Sequence, residues 1–154
     1  LAACAEEKQG ELLERLVRAL GTGGIGGKVS AGYGTFAVDD VILLNEPFDA
    51  QTDWLYTALT MQKPKHYLLL TTSLPTDGEL EDVLDGAYYQ LARRGGYVQS
   101  NTFSSTPQRK RTQHFLAAGA MLARKFAGAL YNVADAGAHP VYRYAKPMML
   151  GVSF

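Results

Sequence analysis

At 154 residues the chain is long enough for one ordinary domain or for two small layers sharing a core, and 47% hydrophobic with 19% charged residues is a globular composition. Fifteen basic and fifteen acidic residues cancel, no apolar run approaches the ~20 residues of a membrane helix, and the single cysteine, Cys4, excludes a disulfide or a cysteine-built metal site. An intracellular protein without a cofactor is the expectation.

The first four residues, Leu1 to Cys4, have the form of a bacterial lipoprotein box, and Phe154 ends an aromatic-rich stretch as an outer-membrane barrel strand would. Without the preceding apolar run or further barrel strands, both read as coincidence. They leave an envelope lipoprotein binding module as an alternative. Next, ELLERLVRAL places Leu12, Leu13, Leu16, Val17 and Leu20 on one helical face. It leads into GTGGIGGKVSAGYG, residues 21–34, half of which are glycine. Glycine is so costly in backbone entropy that it is kept where φ must be positive or where something comes close to the main chain.

Gly21, Gly23 and Gly26 spell G-x-G-x-x-G, but a dinucleotide fingerprint follows a strand and opens a helix, whereas this stretch follows a helix. A P-loop fails as well, because Thr22 and Val29 stand where it needs a glycine and a Ser or Thr. The following TFAVDDVILL, residues 35–44, is rich in β-branched and aromatic residues and predicts a strand.

Residues 45–62, NEPFDAQTDWLYTALTMQ, read as a connection punctuated by Pro47, Asp49 and Asp53, with enough apolar residues to pack. KHYLLLTTSLP predicts a strand, and Thr76 with Glu79 forms a capping-box pattern that opens a short helix in GELEDVLDGA. Charge is segregated along the chain. Asp39 to Asp85 holds ten acidic residues against Lys63 and Lys65, whereas Gly86 to Ala134 holds seven basic residues and no acid. A carboxylate-free stretch with Tyr88, Tyr89, Tyr97 and Phe103 interleaved suits a phosphate backbone with splayed bases. The acidic half would face a basic protein neighbour or solvent.

With helix, glycine loop and strand in this order, GIGGKVSAGYGTF resembles the glycine loop of the RAMP superfamily of CRISPR RNA-binding proteins. There, G-x-G-G-K, a few small residues and G-x-G with an aromatic precede the last strand of a ferredoxin-like unit. Further on, HYLLLTTSLP, DGAYYQLARRGGYV and HPVYRYAKPMMLGV resemble, in this order, the C-terminal region of the fourth-subunit family of the Csm complex, the type III-A CRISPR effector. Such proteins usually carry the first ferredoxin-like strands ahead of this region, so the resemblance implies a fragment, a split gene or a divergent relative. It also decides the conflict at 113–130, QHFLAAGAMLARKFAGAL, where propensity says helix and the resemblance says two strands.

The implied fold is α/β: ferredoxin-like (RRM-like) RAMP elements over residues 1–46, with the glycine-rich loop between last helix and last strand, then a mainly β region with one short helix over 47–154. The implied role is a cytoplasmic, non-enzymatic subunit that caps the 5′ handle of the crRNA and joins the large polymerase-like subunit to the backbone RAMP subunits, away from any membrane. The candidate RNA-binding residues are Gly23, Gly24, Gly26, Gly27, Lys28, Ser30, Gly32 and Gly34 in the loop, with Arg93, Arg94, Arg109, Lys110 and Arg111 in the basic half. Some RAMP proteins cleave repeat RNA, which makes an endoribonuclease the alternative within the superfamily. His66, His114 and His139 are its candidate acid–base groups, though none has an acidic neighbour at catalytic or metal-binding spacing.

Overall fold

The structure, a computed structural model, describes residues 2, 4, 6–26, 28–44, 49–98, 100 and 102–153. It divides into two compact units, Leu1–Glu46 and Pro47–Phe154.

In the first unit, α1 (Glu7–Gly23) carries the predicted leucine face, yet that face is not core: Leu12, Leu13, Leu16 and Leu20 remain between 36% and 57% exposed. Contacts toward its C-terminal end tie the helix to the segment that follows. Arg18 pairs with Glu14 and donates to the Val38 carbonyl, and Gly21 is buried where its carbonyl accepts the Phe36 amide. The strand expected over residues 35–44 does not form. A strand exists only with a hydrogen-bonding neighbour, and the described residues of this unit supply none.

The second unit opens with a helix where the sequence predicts a connection. Asp49 is not loop punctuation but the N-cap of α2 (Ala50–Thr60): its carboxylate accepts from the Gln51 and Thr52 amides, and the Thr52 hydroxyl accepts from the Asp49 amide. These bonds hold the Asp49 carboxyl below its ordinary value, with the Thr52 amide as the largest cause.

The strand in KHYLLLTTSLP is realised as β1 (His66–Leu69), and the short helix as α3 (Leu80–Leu84). Residues 113–130 are not helical. They form β3 (Gln113–Leu116) and β4 (Met121–Leu122), because each finds a partner: β3 pairs with β2 (Leu91–Arg94), and β4 with β1. With β5 (Leu130–Asn132), β6 (Tyr142–Tyr144) and β7 (Met149–Val152), the unit holds a three-stranded antiparallel sheet of order β4-β1-β7 and two antiparallel pairs, β2-β3 and β5-β6.

Alternation along β1 turns Tyr67 and Leu69 into the core. There they meet Leu122, Val83, Phe126, Leu116 and Met149, so the core lies between the central sheet and α3. The backbone bridges Ser73 to Leu116 and Tyr88 to Met121 fasten the β2-β3 pair to this sheet.

The Thr76–Glu79 pattern forms half of a capping box. Glu79 reaches back to the Thr76 amide, but the Thr76 hydroxyl donates to the Glu79 carboxylate instead of accepting from its amide. The same carboxylate also accepts from the Ala127 and Gly128 amides, at 2.7 and 3.3 Å. Four donors on one carboxylate, Ala127 first and Thr76 next among the causes, hold its pKa below the ordinary value. Glu79 thereby ties the entry of α3 to the turn that leads into β5.

Candidate nucleic-acid interface

In the first unit the glycine loop is closed at its base. The Ile25 amide donates to the Gly34 carbonyl, the Gly24 amide caps α1 on Leu20, and a single 3-10 turn (Val29–Ala31) fills the bend. The glycines sort into two kinds. Gly34 exists for packing, since a Cβ there would fall on the Ile25 carbonyl, and Gly24, at φ +80°, leaves only 3.2 Å to the Tyr33 and Gly34 backbone. Gly23, Gly26 and Gly32 face open space, with nothing within 4 Å of an added Cβ. Gly26 and Gly32 have positive φ, but Gly23 does not. Local structure therefore gives no reason for glycine at position 23, which closes a helix where alanine is favoured. Gly27 lies outside the described residues.

Lys28 N-caps the 3-10 turn and sets its ammonium 6.0 Å from the Tyr33 ring, while Ser30 is exposed within the turn. Exposed glycines between a helix C-terminus and a cation leave main-chain groups open to a phosphate.

In the second unit Arg93, Arg94, Arg109, Lys110 and Arg111 come together on one β-ribbon. Beyond the β2-β3 pair it continues through the Val98–Gln108 and Lys110–Gly96 backbone bonds and the Tyr97–Arg109 bridge. The five cations are not equivalent. Arg111 is bound to Asp135 at 3.0 Å and donates to the Asn132 carbonyl. Arg109 lies 5.5 Å from the Tyr97 ring centre and donates to the Tyr97 hydroxyl, a bond that raises the guanidinium pKa further. Arg93, Arg94 and Lys110 find no side-chain partner among the described residues. These three are free to meet phosphate.

Of the interleaved aromatics, Tyr88, Tyr89 and Tyr97 are exposed, but Phe103 is 3% exposed and anchors the ribbon's far loop against the edge of His139. Phe103 is core, and no base stacks on it. The histidines lie apart on β1, on β3 and in the turn before β6, and no hydrogen bond joins any two of them among the described residues. His139 is held by Ser100, Thr102 and the Pro140 carbonyl. No group of three metal-ligating side chains occurs among the described residues, and no helix there is long and apolar enough to cross a membrane.

Residues 62–152, which include the whole ribbon, match the model of the CRISPR Csm4 C-terminal domain. The chain belongs to that family. Beyond the matched span, similarity continues through the glycine loop. The CRISPR system Cms protein Csm4 of Mycobacterium tuberculosis (strain H37Rv) is 39% identical over 152 residues, covering 99% of this chain and 46% of that protein. The protein of the same name from Streptococcus thermophilus is 30% identical over 91% of this chain and 44% of its own length. This Csm4-family chain thus spans about half the length of its curated relatives. Its fold matches a chain in the crystal structure of a Csm3–Csm4 subcomplex in the type III-A CRISPR-Cas interference complex, with a TM-score of 0.56 at 18% identity, covering 97% of this chain and 41% of that one. The expected α/β class is the one observed, and in the second unit the strands form small antiparallel sheets.

Proposed function

We propose that this Csm4-family chain is a crRNA-binding, non-enzymatic part of a type III-A effector in the cytoplasm. It caps the 5′ handle of the guide and bridges the large subunit to the backbone RAMP subunits. One observation carries the reading. The ribbon presents Arg93, Arg94 and Lys110 without side-chain partners among the described residues, in a 69-residue stretch, 86–154, whose one acidic side chain, Asp135, is already bound to Arg111. Within that stretch no free side-chain carboxylate stands to repel an RNA backbone. The glycine loop is a second contact, where the Gly23 and Gly26 main chain and Lys28 would approach phosphates. Residues 35–44 would complete a ferredoxin-like RAMP element on gaining a strand neighbour.

The test is binding of labelled repeat RNA across a salt series, by the chain alone and with the other complex subunits. Replacing Arg93, Arg94 and Lys110 by alanine should lower the log–log salt slope by about 2, at ~0.7 per phosphate contact on a single strand. An unchanged slope and affinity would reject the ribbon as an RNA surface. The same incubation reads out cleavage, and site-specific cutting would replace the binding role with an endoribonuclease.

A further inference from the structure

The β5-β6 hairpin has one face fastened to the protein and one face bare. On the fastened face the Tyr131 hydroxyl donates to the Pro75 carbonyl, and burial raises its pKa. Opposite it in register, Arg143 donates to the Arg94 and Gly95 carbonyls and to Gln113, and sits 6.0 Å from the Phe115 ring. Period-two alternation then puts Tyr142 and Tyr144, with the cross-strand Leu130, on the outer face, where they are 64%, 68% and 55% exposed. Neither outer tyrosine has a partner among the described residues. Asn132 closes the hairpin by accepting the Ala134 and Val141 amides.

We propose that Tyr142 and Tyr144 form a stacking platform for bases of single-stranded RNA. The proposal rests on the RNA-binding reading above and adds a second chemistry to it, since cations hold phosphates and these rings would hold bases. Rigid support comes first: Tyr131 and Arg143 together bond the inner face of the hairpin at four points, which fixes the backbone that carries the rings. Spacing comes next, because residues two apart on a strand are separated by about 6.8 Å, twice the ~3.4 Å step of stacked bases, which leaves one base thickness between the rings.

Charge decides the occupant. Exposed tyrosines suit a protein interface as well as RNA, but the last 69 residues hold nine basic residues and one acidic residue. The Arg143 guanidinium joins the hairpin to the ribbon by donating to the Arg94 carbonyl from the face opposite the two rings, so the cationic ribbon and the rings belong to neighbouring elements of one unit.

The experiment compares the full chain with its Tyr142→Ala, Tyr144→Ala, Tyr142→Phe and Tyr144→Phe variants. The probes are a single-stranded RNA and an abasic strand of equal length, each titrated across a salt series. Stacking on an aromatic ring strengthens binding by about 5- to 150-fold per base, so each alanine variant should lose affinity in that range, with the phenylalanine variants close to wild type. The salt slope should not move, because no phosphate contact is removed. Wild type should prefer the based strand, and the double alanine variant should lose that preference. Equal affinity of wild type and alanine variants for the based strand, with the Arg93, Arg94 and Lys110 effect intact, overturns the platform and leaves the cationic reading standing. Unchanged RNA affinity with weakened assembly of the other complex subunits also overturns it, in favour of a protein contact.

Discussion

Glu79→Gln tests the most heavily used polar group in the second unit. The carboxylate accepts the Ala127 amide on one oxygen, and on the other the Thr76 amide, the Thr76 hydroxyl and the more distant Gly128 amide. A glutamine has one accepting oxygen. If it serves Thr76 and Gly128, its NH2 group is set against the Ala127 N–H at a 2.7 Å separation. Hydrogen bonds to a charged acceptor contribute about 1.5–3 kcal/mol each and neutral ones about 1, so one bond is lost and the others weaken, some 3 kcal/mol in all. Because Glu79 is only half-buried, water compensates in part, and about 2 kcal/mol remains. For a unit of this size that lowers Tm by about 8 °C.

The pH dependence has a definite sign. The folded pKa is depressed below the ordinary 4.5, so the stabilisation is fully present above that value and is lost as pH falls through the folded pKa. Urea denaturation followed by circular dichroism should therefore show a gap of about 2 kcal/mol between wild type and variant at neutral pH that narrows as pH falls below 4.5. A variant as stable as wild type at neutral pH, or a gap that stays constant with pH, would refute the assignment of Glu79 as a charged clasp.

Gly23→Ala should raise the melting temperature, since alanine is better than glycine in a helix by about 0.8–1 kcal/mol. Weaker RNA binding by that more stable protein would show that the loop's main chain is approached closely. Gly34→Ala should unfold the loop by driving its Cβ onto the Ile25 carbonyl, read as loss of amide protection at Ile25. Asp135→Asn should release Arg111 and strengthen RNA binding, with a salt slope steeper by about 0.7. Alanine at His66, His114 or His139 should leave repeat RNA intact, as wild type does, whether or not divalent metal is added.

What could be read from the sequence follows from how far each signal depends on a neighbour. The α1 periodicity and the Leu80–Leu84 helix are local, and both were legible. The two strands in the Ala-rich 113–122 segment contradict helix propensity. Only the resemblance revealed them, because their cause is the partners β2 and β1, far away in the chain. Residues 35–44 fail for the converse reason, strand-forming composition without a partner. α2 is legible in principle, because Asp49-x-x-Thr52 is a cap signature, but Pro47 and the two aspartates also have the form of loop punctuation. Among the basic residues, composition placed the region, but not which cations are already committed. The Arg111–Asp135 pair spans 24 positions, just past the carboxylate-free stretch. Tyr142 and Tyr144 fell beyond that stretch for the same reason, although the alternation in VYRYA was the available signal.

The bare leucine face of α1 has a dynamic consequence. At 17 residues, about 25 Å, the helix is near the lower limit at which a helix persists without packing. Its attachments to the following segment, at Arg18 and Gly21, lie in its second half. Amide hydrogen exchange should accordingly be graded along it, fast near Glu7 and slowest around Arg18 to Gly21. The glycine loop is thus hinged on the end that exchanges slowest, and fraying spends itself about three to four turns away, where no candidate contact residue sits.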